Sequence, residues 1–292
     1  MEIQLDKFVT PFDLEHTLRC GQSFRWGKHG GWWYGVVKNK VVKIRRANTG
    51  LEFEGASVDF VENYFRLDDN LPAILHQISK DDCIKRAVQM FQGLRILRQE
   101  PWECLISYIC STYKNIPAIK DMVQRLSKQF GERRIVNGYT FYTFPKPEDL
   151  ADADVKQLKV CKLGFRAKHV LETTKNVYDG EFSLEALKKM SYENAKQELL
   201  TLPGVGQKVA DCVLLFSLDK LEAFPVDVWV KRVTMKYYSH HFEPRFVEKV
   251  SNKKAITPLE YRKINSFGRT HFGKYAGYAQ EYLFAYTRLT TC

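Results

Sequence analysis

The chain has 292 residues, of which 45% are hydrophobic and 27% are charged, and its formal net charge is +11. This balance is typical of a globular protein and excludes an intrinsically disordered one. No apolar run reaches the roughly 18 residues that a membrane helix needs. The first ten residues, MEIQLDKFVT, lack a charged leader followed by an apolar stretch, so we expect neither a membrane span nor a secretory signal.

Seven cysteines are scattered along the chain without a C-x-x-C pair. They are Cys20, Cys83, Cys104, Cys110, Cys161, Cys212 and Cys292. In a chain of this length the pattern predicts reduced, mostly buried thiols in a reducing compartment. It argues against a four-cysteine metal or iron–sulfur site.

The basic excess lies mainly at the end of the chain. Residues 229–292 contain 12 Lys and Arg against 4 Asp and Glu. A solvated basic face would explain this, and so would a surface for a polyanion, of which nucleic acid is the commonest.

The N-terminal stretch has strand patterns that give way to helical ones. Residues 32–37 and 41–45 are rich in β-formers and flank the polar tip Lys38-Asn39-Lys40, which predicts a β-hairpin. From about Val58 the apolar residues recur at helical spacing, through residues 84–91. Gly93 stands where a helix C-cap is expected.

Two strong helix patterns follow, one opened by Pro101 and one opened after Asn115 and closed by Gly131. The remainder to the C-terminus is mainly helical with short loops. We therefore expect an α+β protein in which a small α+β part, residues 1–95, precedes a larger all-helical part, residues 96–292.

The most informative segment runs from residue 191 to residue 232. A helical run ends near Leu202, Pro203-Gly204-Val205-Gly206 makes a tight turn, and a second helix starts at about Gln207. The free N–H groups at the start of that helix favour an anion such as phosphate, so the pattern predicts a helix–hairpin–helix that binds nucleic-acid backbone. The alternative is an ordinary helical corner with a glycine turn.

Lys208 lies in the first turn of the second helix, where the helix dipole disfavours a cation. A residue that violates a local rule is a candidate functional residue, and a lysine held there would suit a nucleophilic amine. The alternative is a lysine that only contacts phosphate.

Asp227 precedes a helix that starts at Val228, and capping alone would explain it. A carboxylate near Lys208 could in addition stabilise positive charge on a sugar ring and move protons. Cys212 and Phe216 follow Lys208 at i+4 and i+8, on the same helical face.

These residues carry a resemblance to a known family. LPGVGQKVAD followed by FPVDVWVKR resembles the helix–hairpin–helix DNA glycosylases, and the whole chain is similar to the 8-oxoguanine DNA glycosylase/AP lyases among them. Further matching blocks are CGQSFRW, FQGLRILRQEPWECLISYICS, KLGFRAKHV and YAGYAQEYLF, in that order. The resemblance implies a TATA-binding-protein-like twisted antiparallel sheet packed on a helical domain that holds the hairpin.

The resemblance also implies the chemistry. Lys208 matches the family's nucleophile and Asp227 its essential carboxylate. The amine would attack C1′ of the damaged nucleotide and expel the base, and the resulting Schiff base would permit β-elimination of the 3′ phosphate. No cofactor is implied for catalysis.

Five residues match positions that bind the base. Gly21 matches the glycine whose carbonyl accepts from N7–H of 8-oxoguanine, although without the resemblance a turn glycine is the preferred interpretation. Gln280 matches the residue that reads the Watson–Crick edge, and Phe284 and Cys212 match the groups that stack on its two faces. Phe216 extends the same pocket.

DNA contacts are implied at a second set of positions: Tyr113, Phe165, Arg166, Gly204, Gly206, Gln207 and Trp229. The backbone carbonyls of Leu200, Leu202 and Val205 match positions that hold a structural cation in the family. Trp229 replaces a common histidine. Phe165 replaces a wedging tyrosine and can still intercalate.

The residues that hold the opposite cytosine depart from the family pattern. Tyr113, Ala118 and Arg166 stand where an Asn and two Arg are usual, so two of the three are missing. We therefore expect weak preference for the base opposite the lesion.

Two other classes of function compete with this interpretation, a different glycosylase on the same fold and a module that only binds DNA, and the residues argue against both. Iron–sulfur glycosylases need four closely spaced C-terminal cysteines, whereas only Cys212 and Cys292 lie in the C-terminal third; an alkylated-purine glycosylase would not need Lys208. A non-catalytic hairpin module would leave Lys208, Asp227, Gly21 and Gln280 unexplained together.

We expect a monomer that acts on lesion-containing double-stranded DNA, in the nucleoid of a prokaryote or the nucleus of a eukaryote, without membrane association.

Overall fold

The computed structural model describes residues 1–4, 11–48, 50–253 and 255–290. Five strands form one antiparallel sheet: β1 (Glu2–Gln4), β2 (Trp26–His29), β3 (Trp32–Val37), β4 (Lys40–Arg46) and β5 (Gly50–Glu54). Their order in the sheet is β1-β5-β4-β3-β2. Val37 pairs with Lys40, so Lys38 and Asn39 form the tight turn, and the predicted hairpin is confirmed.

Helices account for most of the rest. They are α1 (Leu14–Arg19), α2 (Val58–Tyr64), α3 (Leu71–Ile78), α4 (Asp82–Met90), α5 (Pro101–Cys110), α6 (Ile116–Phe130), α7 (Pro147–Ala151), α8 (Val155–Val160), α9 (Arg166–Tyr178), α10 (Leu184–Lys188), α11 (Tyr192–Thr201), α12 (Gln207–Ser217), α13 (Val228–Tyr237), α14 (Pro244–Ser251), α15 (Pro258–Phe272) and α16 (Ala276–Thr290). The expected α+β class, a sheet followed by helices, is confirmed.

The predicted helix boundaries hold at α5 and α6. Pro101 is the first residue of α5, where its missing N–H costs nothing. Asn115 caps α6 by accepting from the N–H of Ala118 at 3.0 Å. Gly131 is the C-cap of α6.

Gly93 does not cap a helix, because α4 ends at Met90 with Phe91 as its C-cap. Its φ is +83°, and a Cβ there would lie 2.6 Å from the backbone nitrogen of Asp13. The N–H of Asp13 donates to the Gly93 carbonyl at 2.9 Å. The glycine is therefore needed for a close approach of two backbone segments.

The helical part contains one element that the apolar periodicity does not predict, a hairpin of β6 (Arg133–Val136) and β7 (Tyr139–Tyr142). Asn137 and Gly138 form its turn with φ of +51° and +79°. Rings of β7 pack on the main sheet, since Phe141 stacks on Tyr34 with centroids 5.6 Å apart.

Two large apolar cores support the molecule. One joins the sheet to α1 and α2. The other contains α5, α6, α9, α12, α13, α15 and α16 and also takes in α3 and α4. Within α12 every residue from Val209 to Ser217 is buried, so the helix that carries Lys208 runs through the centre of the larger core.

The six described cysteines are free and buried, as expected, and Cys292 lies outside the described residues. In the part of the chain that the structure covers, no helix has the length and apolar character needed to cross a bilayer.

Candidate active site

The segment between α11 and α12 forms the expected helix–hairpin–helix. Gly204 has φ of +79°, and a Cβ there would lie 2.7 Å from the Cβ of His169. Thr173 on α9 donates to the carbonyl of Pro203 at 2.9 Å and holds the turn. Gly206 is the N-cap of α12 and provides no side-chain hydrogen bond, which leaves first-turn N–H groups available to an anion.

Lys208 turns inward towards the end of α5. Its Nζ donates to Oγ of Ser111 at 2.8 Å, and that hydroxyl donates to the carbonyl of Tyr108 at 2.7 Å. The ammonium also lies 5.1 Å from the centroid of the Tyr108 ring. These contacts fix the position of a half-buried amine.

Asp227 caps α13, as the capping interpretation predicts. Its Oδ1 accepts from the N–H groups of Trp229 at 2.9 Å and Val230 at 2.8 Å. Burial raises the pKa of the Asp227 carboxyl, while the hydrogen bond from Val230 and the charge of Lys208 act in the opposite direction. Capping and electrostatic interaction with Lys208 therefore coexist, because both backbone hydrogen bonds go to the same carboxylate oxygen.

Lys208 and Asp227 line one cavity of about 540 Å³ between α5, α12, α13 and α16. This volume accommodates a purine with part of its sugar. All five predicted base-binding residues line the same cavity: Gly21, Cys212, Phe216, Gln280 and Phe284.

Aromatic and apolar groups form the walls. The Phe216 ring stacks on Tyr108 with centroids 5.5 Å apart and planes 12° apart. Burial raises the pKa of the Cys212 thiol to about 12, so it presents a neutral sulfur to the cavity at neutral pH. Phe284 is half-buried, with the guanidinium of Arg288 5.3 Å from its ring centroid.

Two groups can recognise polar edges of a base. Gln280 is 4% exposed, and within the described residues its Oε1 has no hydrogen-bond partner. Gly21 has φ of +107°, and a Cβ there would lie 2.6 Å from Cδ1 of Ile116. The backbone at position 21 therefore requires a glycine, as the turn interpretation also predicts.

Tyr108, Ser111 and Glu281 also line the cavity, and the sequence analysis does not predict them as site residues. Tyr108 and Ser111 fall in the block around α5, yet nothing local in the sequence places them beside Lys208. Glu281 lies in a helix segment, Ala276 to Leu283, in which every residue is buried. An acidic residue in such an apolar segment is unusual, and this signal could have marked Glu281 as a candidate site residue.

The predicted DNA contacts divide into exposed and buried side chains. Tyr113 is 88% exposed and has φ of +55°, a strained conformation that is often found at functional sites. Phe165 is 58% exposed. Arg166 is buried, and its guanidinium donates to the carbonyls of Thr112 and Leu163, so it holds the Tyr113 segment instead of facing outward.

The remaining predicted DNA contacts lie near the hairpin and the cavity. Gly204, Gly206 and Gln207 lie at the hairpin and the start of α12. Trp229 lines the cavity from the first turn of α13, with the Arg232 guanidinium 4.7 Å from its ring centroid.

The carbonyls proposed for a cation belong to the end of α11 and the hairpin turn. The Leu202 carbonyl accepts from the N–H of Val205 at 3.1 Å. Over the described residues, no group of three or more His, Cys, Asp or Glu is arranged to hold a metal ion.

Two family models match the chain in succession. Residues 4–105 match the 8-oxoguanine DNA glycosylase N-terminal domain. Residues 106–256, which include the hairpin, Lys208 and Asp227, match the HhH-GPD superfamily base excision DNA repair protein model.

Individual proteins match over most of their length. An N-glycosylase/DNA lyase of Saccharomyces cerevisiae is 31% identical, with 93% of this chain and 82% of that protein covered. The 8-oxoguanine glycosylase/lyase of Clostridium acetobutylicum, in complex with double-stranded DNA containing cytosine opposite 8-oxoguanine, is 34% identical with a TM-score of 0.87, covering 97% of this chain and 94% of that one. A 3-methyladenine DNA glycosylase of Archaeoglobus fulgidus has the same fold at 21% identity and a TM-score of 0.75, with 99% of both chains covered.

Proposed function

The chain belongs to the 8-oxoguanine DNA glycosylases of the HhH-GPD superfamily of base excision repair proteins, and from this membership we propose that it excises 8-oxoguanine from DNA and then cleaves the strand. The observation that carries the proposal is the single cavity that contains Lys208, Asp227 and the five base-binding candidates.

The first step is displacement of the base. Once Lys208 has given up a proton, its amine attacks C1′, the bond between C1′ and N9 breaks, and the base leaves with that electron pair and takes up a proton. Asp227 stabilises the positive charge that develops on the sugar. Its raised pKa and its proximity to Lys208 suit a group that also exchanges a proton.

The second step is strand cleavage. Opening of the sugar ring gives an imine between Lys208 and C1′, which acidifies the C2′ proton. Loss of that proton breaks the bond from C3′ to oxygen and releases the 3′ phosphate, and water then frees the lysine. The amine supplies both steps, so we propose that catalysis needs no cofactor and no iron–sulfur cluster.

Lesion choice is proposed to depend on Gly21, Gln280 and the stacking pair of Phe284 and Cys212. A carbonyl at Gly21 accepts from N7–H of 8-oxoguanine and repels the bare N7 of guanine. Among the residues that the structure describes, Oε1 of Gln280 has no hydrogen-bond partner, which supports a second contact, because a buried oxygen without a partner is costly until a ligand supplies one.

The proposed partner is double-stranded DNA with an extruded 8-oxoguanine. Hairpin N–H groups at Gly204, Gly206 and Gln207 hold phosphate, whereas Tyr113, Phe165 and Trp229 contact the distorted duplex. Arg166 acts through the segment that it anchors. Ala118 offers no side-chain donor to an opposite cytosine, which supports weak preference for the opposite base.

Excision of a defined lesion tests the function. A labelled duplex with one 8-oxoguanine is incubated with the protein, and free base and cleaved strand are measured separately. We expect both products from the wild type, a loss of about a thousandfold or more in Lys208→Gln, and near-normal activity in Lys114→Gln, which changes another lysine of the cavity.

The same assay decides between the alternatives. A second duplex contains 3-methyladenine in place of 8-oxoguanine and tests for excision of an alkylated purine. This alternative activity is tested because the 3-methyladenine glycosylase of Archaeoglobus has the same fold. Excision of 3-methyladenine but not 8-oxoguanine, or DNA binding without release of any base, would contradict the proposal.

Four further features are proposed with the function. Residues 1–95 and 96–292 act as two units, although α3 and α4 share the larger core. The carbonyls of Leu200, Leu202 and Val205 are hard neutral ligands that suit an alkali or alkaline-earth cation, which would brace the hairpin. The protein acts as a monomer. Its place of action is the nucleoid or the nucleus, where DNA is.

A further inference from the structure

Glu281 is a carboxyl group of the cavity that the proposed reaction leaves unused. The residue is 2% exposed, and it lines the cavity together with Lys208, Asp227 and Gln280. Among the described residues, its Oε1 has no hydrogen-bond partner. A buried polar atom without a partner in a ligand cavity is a candidate contact for the ligand.

Groups from four helices and one loop surround this carboxyl. The thiol of Cys20, which directly follows α1 and donates to the carbonyl of Thr17 at 3.1 Å, lies beside it and favours its charged form. Arg288, which lies on α16 like Glu281, favours the charged form of the carboxyl, and Asp227 at the start of α13 disfavours that form. Tyr108 on α5 and Cys212 on α12 also interact with it electrostatically.

Burial is the largest influence on the group and raises the pKa of Glu281 to about 7. A substantial fraction is therefore protonated at neutral pH. A base stacked in the cavity removes more water and favours the neutral acid further. The neutral acid carries an O–H donor, which a carboxylate lacks.

We propose that Glu281 recognises the extruded base directly by donating a hydrogen bond from its protonated carboxyl to the oxygen at C8 of 8-oxoguanine. The proposal rests on the proposed function. Gly21, assigned to N7–H, directly follows Cys20, whose thiol lies beside Glu281, and the C8 oxygen adjoins N7 on the ring. Guanine has a C–H at C8 and cannot accept this bond, so Glu281 adds to discrimination.

Two variants test the donor. Glu281→Ala removes it, and Glu281→Gln replaces it with an amide N–H donor that does not titrate. We expect excision of 8-oxoguanine to fall about tenfold or more in Glu281→Ala and to stay within about threefold of wild type in Glu281→Gln. Strand cleavage at a preformed abasic site, which contains no base, should stay within about twofold in both variants.

The pH profile is an independent readout. Wild-type excision should lose a component above about pH 7, where Glu281 ionises, and Glu281→Gln should lack that loss. If thermal melting shows that Glu281→Ala does not fold, the pH profiles of the wild type and Glu281→Gln test the proposal without that variant. Glu103→Gln is the matched control, since Glu103 is a partly buried glutamate with a pKa also raised to about 7 but pairs with Arg25 at 3.4 Å.

Three results would overturn the proposal: Glu281→Ala loses less than about tenfold, Glu281→Gln falls as far as Glu281→Ala, or abasic-site cleavage falls in parallel with excision. A wild-type protein that does not excise 8-oxoguanine would instead refute the proposed function. An active wild type that is insensitive to Glu281 refutes only the present inference.

Discussion

Replacing Asp227 separates its two roles, because the helix cap and the charge depend on different properties of the carboxylate. Oδ1 accepts both backbone hydrogen bonds, at 2.9 and 2.8 Å. Asparagine retains an Oδ1 that can accept both bonds, but it carries no charge. Alanine removes the acceptor and the charge together.

The stability changes should therefore differ. Loss of a helix N-cap costs about 1 kcal/mol, so Asp227→Ala should lower Tm by roughly 2–4 °C. The pKa of Asp227 is raised in the folded protein. Ionisation therefore opposes folding, and the stability contributed by the protonated acid is lost as pH rises through the folded pKa. Asp227→Asn, which never ionises, should melt at or above the wild-type temperature at neutral pH.

Activity should change in another pattern. Both variants lack the negative charge beside the sugar, and we expect single-turnover excision of 8-oxoguanine to fall about a hundredfold or more in each. Thermal melting and excision are measured on the same preparations at pH 7. An Asp227→Asn protein that excises within about threefold of wild type would refute the catalytic role and leave capping alone.

The remaining predictions concern the cavity, the hairpin and the DNA surface. Gly21→Ala places a Cβ 2.6 Å from Ile116 at a φ of +107°, so excision should fall about tenfold or more while binding to abasic DNA changes little; equal losses in both would contradict a base contact. Gly204→Ala places a Cβ 2.7 Å from His169 and should weaken binding to lesion and undamaged duplexes alike, as measured by titration. Lys208→Gln should still bind lesion DNA, with an affinity that falls as salt rises, and a salt-independent affinity would refute phosphate binding. Excision opposite C, A, G and T should vary less than about a hundredfold, and a larger preference for C would refute weak opposite-base dependence.

The sequence predicts those parts of the fold that are determined by residues close together in the chain, such as helix starts and glycine turns. Glycines at 204 and 206 and the helical runs beside them locate the hairpin, and Pro101 and Asn115 mark helix starts through their own backbone chemistry. The C-cap prediction for Gly93 is wrong, because this glycine is needed where the backbone approaches Asp13, which lies far away in the sequence. The hairpin of β6 and β7 was missed because its strands are only four residues long and largely exposed.

The sequence predicts only those site residues that have a signal in their own neighbourhood of the chain. Lys208 conflicts with the helix dipole, and Asp227 stands at a helix start, so each has a local signature. Ser111 has none, since it lies 97 positions before Lys208 in the sequence and meets it only in the folded chain. The position of the Glu281 carboxyl likewise depends on packing between α16 and the segment at Cys20.

Trapping the imine tests the central claim most directly. The protein is incubated with an 8-oxoguanine duplex and sodium borohydride, and the reduced covalent adduct is digested and located by mass spectrometry. We expect an adduct on Lys208 that is absent in Lys208→Gln and retained in Lys114→Gln. An adduct on another residue, or one that persists in Lys208→Gln, would contradict the account.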